Sequence, residues 1–503
     1  MAVKESGQFL SMDNGMGGSK RDPISRVDLA WLRMEQSTNL MMITGVIILD
    51  RPVEFGVFKK LVTSRFLSFR RFRQKTVDTP RGSWWETDAL FDERSHVVRT
   101  ALPGRADKQA LEALVSSLAS TPLDKTKPLW QFHFVENYLH GPAIIARIHH
   151  CYADGIALIQ VLLSLTETDR QKSLQANSSR RWKEKQVAGS GVFRRLAAPA
   201  HSGLRVLQET GARALECGAD VLRDPRAAGA SMAELMGELG QALLLPDDSR
   251  SPFRGRLGVR KNIAWAEPII LDEVKAVSRI LGCSVNDILI AVMTGALHRY
   301  VVECGASPGQ ASMRATVPVN LRPLDHAPEL GNHFGLVFLD LPIAQKNPLR
   351  RVYQVSDNMR KLKESRQAAI TLGALAALGM GPAALQKPAL EMFSRKASAV
   401  LTNVPGPQKP LYLAGARLRE MMFWVPQTGS MGMGISILSY NGKVFSGLVA
   451  DHNLVPDPQN VVLNFRTEFE NLLHWVMLLG ADDAPLPADE AEYLVARLCA
   501  DCD

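Results

Sequence analysis

The period of apolar positions changes several times along the chain, and the changes mark the elements. Asp22-Pro23 sets a turn. Beyond it, Val27 to Glu35 has helical spacing and Met41 to Leu49 is an apolar run of strand length. Ala143 to Ile148 (AIIARI) is short and β-rich, and Ile156 to Leu165 (IALIQVLLSL) is apolar over a helical length. Strand-like and helical runs alternate from Asp22 to about Thr168, which predicts an α/β layered domain.

The alternation then lapses. From Asp169 to Arg205 there are nine Lys or Arg against two Asp or Glu, the signature of a basic exposed connection. Helical spacing returns between Gly203 and Leu244, as in Leu204, Leu207, Ala212 and Leu215, and Pro246-Asp247-Asp248 ends it with a turn. A second α/β region starts near Val259. Ser284 with Asp287 three residues later forms a capping-box pattern, followed by an apolar face through Ile288, Val292 and Ala296. Ala315 to Val319 reads as a strand. Ile435 to Tyr440, Asn441-Gly442 and Lys443 to Val449 read as a hairpin with a two-residue turn. These breaks divide the chain into a tail (1–20), a first α/β domain (21–170), a basic, partly helical linker (171–258), a second α/β domain (259–481) and an acidic, Ala-rich tail (482–503).

Composition narrows the function classes. In 503 residues, 46% hydrophobic and 22% charged content is ordinary for a globular protein, so disordered and fibrous readings fail. The net charge of +8 suits an anionic partner such as a nucleotide-bearing ligand or an acidic membrane surface. No RNA-recognition, zinc-finger or basic-zipper pattern is present, so nucleic acid is not expected as a partner. Six scattered cysteines form no secreted disulfide framework, and Cys499-x-x-Cys502 has no second ligand pair for zinc. Residues 1–20 lack the apolar core of a secretory signal, so a cytoplasmic protein is expected. Gly15 to Lys20 (GMGGSK) breaks the spacing of a phosphate loop. Ala368 to Leu385 is long enough to cross a bilayer, but it is mostly Ala and Gly with Pro382 inside it. A buried or membrane-surface helix is the better reading there.

The sharpest signal is His149-His150-Cys151-Tyr152-Ala153-Asp154-Gly155. It follows a strand and precedes an apolar helix. Neighbouring side chains on a strand point to opposite faces, so only one of the two histidines can face a given cleft. An imidazole suits general-base work near neutral pH. Asp154 can fix the loop through a buried pair with an arginine, and Gly155 removes a side chain where substrate or backbone comes close. Three other readings stay open: a satisfied buried pair, a metal site on His150 and Asp154, and a Cys151 nucleophile. The metal site has no third ligand at suitable spacing, and His150 is poorly placed to deprotonate its neighbour on an extended chain.

The H-H-x-x-x-D-G motif resembles that of acyltransferases similar to chloramphenicol acetyltransferase. Pro122 to Lys127 followed by Pro128-Leu129-Trp130 resembles the P-L-W element of the bacterial wax ester synthase/acyl-CoA:diacylglycerol acyltransferase family. Asn286-Asp287 resembles its N-D motif. Val317 to Pro323, Gly331 to Gly335 and Thr402-Asn403-Val404-Pro405-Gly406-Pro407 resemble further elements in the same order, so that the likeness runs from about Ser25 to Asp457. It implies an α/β fold of two chloramphenicol acetyltransferase-like domains with the active site at their interface. It implies transfer of a long-chain acyl group from acyl-CoA, a co-substrate rather than a cofactor, to a fatty alcohol or to diacylglycerol. The enzyme would be peripheral to a membrane or a lipid inclusion and would need no metal. His150, with His149, Asp154 and Gly155, carries the catalytic assignment, and His150 takes the hydroxyl proton for direct attack on the thioester. Asn286 is the candidate oxyanion donor, because it sits in the first turn of a capped helix. Pro128, Leu129, Trp130 and Asp287 are assigned to the substrate passage, and Arg322 is a candidate partner for Asp154. Arg254, Arg256, Arg260 and Lys261, and in the linker Arg180, Arg181, Lys183 and Lys185, are basic patches for CoA phosphates or solvent. Two alternatives remain. One is a condensation-type enzyme fed by a carrier protein, for whose carrier domain the sequence leaves no room. The other is a non-catalytic lipid-binding module, which the complete His150, Asp154 and Gly155 set disfavours.

Overall fold

Residues 21–175 except 81 and 140, 246–308 except 250, 313–320, 334–364 and 383–479, with positions 487, 489, 490 and 493, are described by the computed structural model. The first half contributes β1 (Arg21–Pro23), α1 (Arg26–Met34), β2 (Met42–Leu49), α2 (Phe55–Ser64), β3 (Gln74–Thr79) and β4 (Gly82–Thr87). It continues with β5 (Val97–Thr100), α3 (Lys108–Ala119), β6 (Trp130–Val135), β7 (Ala143–His149), α4 (Gly155–Leu163) and α5 (Arg170–Gln175). The second half opens with β8 (Lys261–Trp265), β9 (Ile269–Ile270), α6 (Leu271–Ile280), α7 (Val285–Glu303), β10 (Met313–Asn320) and β11 (Phe334–Leu341). It ends with α8 (Pro348–Glu364), α9 (Ala383–Ser394), β12 (Ala399–Pro405), β13 (Tyr412–Leu413), β14 (Ala416–Trp424), β15 (Met433–Tyr440), β16 (Lys443–Asp451) and α10 (Pro458–Leu478).

Local chemistry explains several boundaries. Ser25 caps α1 by accepting from the Asp28 N–H at 3.1 Å. The capping box expected at Ser284 is formed. The Asp287 N–H donates to Ser284 Oγ at 3.2 Å, and the Ser284 N–H donates to Asp287 Oδ2 at 3.0 Å. The β15–β16 hairpin turns on Asn441 and Gly442 at φ 49° and 74°, as the two-residue turn requires. α7 is long and apolar enough to cross a membrane, but it is mostly buried and serves as a core helix of the second half. The helical spacing over 203–244 and all of the apolar stretch 368–385 but its last three residues, which open α9, lie outside the described residues.

One finding departs from the expected division at residue 259. The six-stranded sheet has the order β13-β14-β2-β7-β6-β5, so two strands of the second half complete the sheet of the first. The other large sheet runs β11-β10-β12-β15-β16-β8, with β9 also on β16. β14 lies against both sheets through two glycines. It pairs antiparallel with β2, opposing Phe423 to Gly45. A Cβ on Gly45 would lie 2.3 Å from the Phe423 ring. On its other face, Met422 and Trp424 close on Gly447 of β16, where a Cβ would meet each at 2.9 Å. One apolar core therefore continues from β2 and β7 through β14 to Leu438, Phe445 and Val449.

This close approach yields a prediction. Gly45→Ala forces the Phe423 ring aside and should destabilise the protein by about 1–3 kcal/mol, the usual cost of overpacking. Urea denaturation of the two proteins measures it, and equal stabilities would contradict the packing described.

Candidate active site

The motif begins on the last residue of β7 and ends on the first residue of α4, with Asp154 as the cap. The backbone is pinned on both sides. The His149 N–H donates to Leu129 O at 2.9 Å and the His150 N–H to Met41 O at 2.7 Å. Tyr152, fully buried, reaches back: its hydroxyl donates to Gln74 O and accepts from the Leu129 N–H, both at 2.9 Å. Asp154 then starts the helix by accepting from the Ala157 N–H at 2.9 Å. Arg322, the expected partner of Asp154, lies outside the described residues.

The two histidines part company here. His149 is buried on the face away from the cleft. Its Nδ1 accepts from the Cys151 N–H at 3.1 Å, and its Nε2 lies 3.3 Å from Glu35 Oε2. An acceptor Nδ1 places the proton of the neutral ring on Nε2, facing the carboxylate. Lys125 holds the same carboxylate at 2.8 Å. Burial raises the Glu35 carboxyl, but His149 and Lys125 outweigh it and hold it down at about 2. His149 is therefore a positioning group rather than a wall of the cleft. His150 turns the other way. Its ring stacks on Trp31 of α1 with centroids 4.4 Å apart and 27° between planes.

That ring lines a cavity of about 1060 Å3, part of it open to solvent, between the two halves. The first half supplies Trp31, Ile43, His150, Asp154, Gly155 and Ile159. Facing them are Thr402, Asn403 and Val404 of β12, and Phe423 and Val425 from the end of β14. The lining is mostly apolar. Gly155 leaves space rather than a close backbone contact, because a Cβ there would meet Val425 only at 3.6 Å.

Several expected residues stand elsewhere. Pro128, Leu129 and Trp130 do not line the cavity. Trp130 is in the core of the first half, its Nε1–H donating to Phe72 O at 2.8 Å, and its ring stacks on His96 with centroids 4.5 Å apart. The Leu129 backbone instead braces the motif from behind, through His149 and Tyr152. Asp287 is buried in its capping box and also accepts from Ser356 Oγ at 3.1 Å. Asn286 sits behind β12, where its Oδ1 accepts from Asn403 Nδ2 at 2.8 Å. Asn403, not Asn286, is on the cavity wall, because α7 begins on the far side of the sheet. Lys261 is buried against Asp451 at 2.7 Å and is no free cation for phosphate, whereas Arg256 and Arg260 are exposed. The linker patch Arg180 to Lys185 lies outside the described residues. Burial pushes the Cys151 thiol well up, which disfavours the thiolate a nucleophile needs. Among the described residues no group of three or more His, Cys, Asp or Glu is placed to hold a metal ion.

The Glu35 carboxylate carries a pH signature. Its folded value of about 2 lies below its ordinary 4.5, so its stabilising contribution is complete above that ordinary value and disappears as pH falls towards 2. Glu35→Gln should be less stable than the parent at neutral pH, and the deficit should shrink steadily below about pH 4.5. Thermal unfolding across that range measures it. A deficit that stays constant with pH would contradict the ion cluster.

The model of the wax ester synthase/diacylglycerol acyltransferase catalytic domain matches residues 24–289, and that of the family's C-terminal domain matches residues 330–473. A Mycobacterium tuberculosis protein named a diacylglycerol O-acyltransferase is 27% identical over 500 residues, covering 95% of each chain. A second from the same organism, carrying the same activity in its name, is 28% identical over 402 residues, 78% of this chain and 81% of its own. Among solved structures, the wax ester synthase/diacylglycerol acyltransferase of Marinobacter aquaeolei VT8 superposes with a TM-score of 0.65 at 19% identity, over 91% of this chain and all of that one. The starter condensation domain of rhizomide synthetase gives 0.54 at 13%, over 93% and 96%. At these identities the two structures speak to the fold alone, which is α/β and of the chloramphenicol acetyltransferase-like kind. With the catalytic-domain model spanning more than half its length, the chain belongs to the wax ester synthase/diacylglycerol acyltransferase family.

Proposed function

We propose that the protein transfers a long-chain acyl group from acyl-CoA to the hydroxyl of a lipid acceptor, diacylglycerol or a fatty alcohol, by direct attack with His150 as general base. The observation that carries this reading is the His150 ring on the wall of an apolar cavity between the halves, held flat by Trp31. The acceptor O–H loses its proton to the imidazole as its oxygen bonds to the thioester carbon. The carbonyl electrons move onto oxygen, then return as the C–S bond breaks. The CoA sulfur leaves and takes the proton back from the imidazolium, so the ring ends as it began.

The transient oxyanion needs a donor, and Asn403 Nδ2 supplies it. A primary amide has two N–H bonds. One is directed to Asn286 Oδ1 at 2.8 Å, which fixes the orientation of the amide, and in this reading the second is assigned to the oxyanion because Asn403 lies on the cavity wall. Asn286 thus acts on the oxyanion through Asn403. Asp154 and Gly155 hold the turn that aims His150. Both substrates are amphiphiles, so in this reading the enzyme works in the cytoplasm at the surface of a membrane or a lipid inclusion. No metal or bound cofactor enters the chemistry.

Purified protein given palmitoyl-CoA and either dipalmitoylglycerol or hexadecanol should release CoA thiol and form the corresponding ester. His150→Ala should lower kcat by about 10²–10⁴-fold. Asn403→Ala should lower it by about 10²–10³-fold with little change in KM. Full turnover in the His150 variant would refute the assignment of the base. An Asn403 effect confined to KM would refute its role as oxyanion donor.

A further inference from the structure

β10 and β12 are the second and third strands from the β11 edge of the seven-stranded sheet, yet they pair at only two positions, Ala315 with Ala399 and Thr316 with Val400. Their outer ladders are unbroken. β10 keeps register with β11 from Met313–Leu341 to Asn320–Phe334, and β12 with β15 from Ala399–Met433 to Pro405–Ser439. Past Thr316 and Val400 the ladder between β10 and β12 is therefore broken, which divides β10 and β11 from the rest of the sheet there. The sequence supplies a reason. Pro318 stands just beyond the last pair and has no N–H to donate to a neighbouring strand, while its position opposite Leu336 on β11 is kept.

The reaction cavity runs into this division. Thr402, Asn403 and Val404 line it as three consecutive residues of β12. Val400, Thr402 and Val404 share one face, and Asn403 between them brings the cavity to the edge of the strand as well. Pro318 and Leu336 line it from the other bank. On the far side of the sheet, Asn403 reaches Asn286 at the start of α7. Val317 to Val319, Asn403 and Val404 are only partly buried residues.

The shape and the lining select a ligand class. The opening between the edges of β10 and β12 is flanked by Pro318 and by Thr402 to Val404, closed at its base by the Thr316–Val400 pair and adjoined by Leu336 of β11, and this narrow, mostly apolar lining suits an unbranched alkyl chain. Asn403 stands at its rim, and the carbonyl oxygen of the thioester is assigned to its amide. The carbon chain attached to that carbonyl leaves the reaction centre next to the gap. We infer that the acyl chain of the donor threads through the divided sheet between β10 and β12, and that Pro318 and Val404 govern the chain length accepted. This rests on the acyl-transfer reading and adds to it the place of the donor chain.

The test uses the full chain and palmitoyl-CoA bearing a diazirine at its terminal carbon, followed by irradiation, digestion and mass mapping. Label on 313–320, 334–341 or 399–405 is expected. Label confined to the first half, at Ile43 or Ile159 for example, overturns the threading even if the enzyme turns over. Label in the gap without turnover supports the threading while removing the acyl-transfer reading, so the two fail separately. As a second readout, Val404→Phe should lower the ratio of kcat/KM for palmitoyl-CoA to that for octanoyl-CoA by roughly tenfold or more. An unchanged ratio in the folded variant overturns the inference.

Discussion

The buried contact between His149 and Glu35, 3.3 Å apart beneath the end of β7, governs how the motif can be used. A strand end cannot send two neighbouring rings to one side. By committing the first ring to a carboxylate that Lys125 also holds, the protein leaves the second ring to the cavity. The ion cluster thus does its work at a distance from the chemistry. The same end of β7 is braced by Leu129 and Tyr152, so backbone, ring and hydroxyl all resist rotation of the turn. Trp31 completes the arrangement by fixing the plane of His150 from α1.

The second constraint is that neither half can build the cavity alone. β14 comes from the second half, completes the sheet of the first, and packs back on β16 through Gly447. Phe423 and Val425 at its end form part of the cavity wall. The exchange of a strand therefore does two things: it merges the cores and it sets the spacing between His150 and β12. Such a largely apolar space between halves suits a reaction in which charge develops on a carbonyl oxygen, because that charge is stabilised best by fixed donors with little competition from water.

Much of this was legible along the chain where the determinant is local. The strand–turn–helix setting of His149 to Gly155, the Ser284–Asp287 cap and the Asn441-Gly442 turn each depend on residues a few positions apart. What escaped reading depends on long-range placement. Nothing near Ala416 to Trp424 says that the strand belongs to the sheet of β2, some 370 residues earlier. Pro128, Leu129 and Trp130 are apolar, and apolarity says that a residue is buried but not against what. Asn286 and Asn403 both sit in recognised segments, and only the position of α7 behind β12 decides which amide meets the cavity. Glu35 had no local signal beyond its place at the end of a short helix. Pro318 did carry one: a proline inside an otherwise continuous strand pattern marks a broken ladder.

Direct transfer, with an imidazole taking the hydroxyl proton and no acyl group ever bonded to the protein, is the claim on which the account stands. Rapid mixing of the enzyme with radiolabelled palmitoyl-CoA in the absence of any acceptor tests it most directly. The account predicts no burst of CoA thiol and no label on the denatured protein. A burst of one thiol per enzyme, with a palmitoyl adduct on a side chain of the cavity or on Cys151, would contradict it.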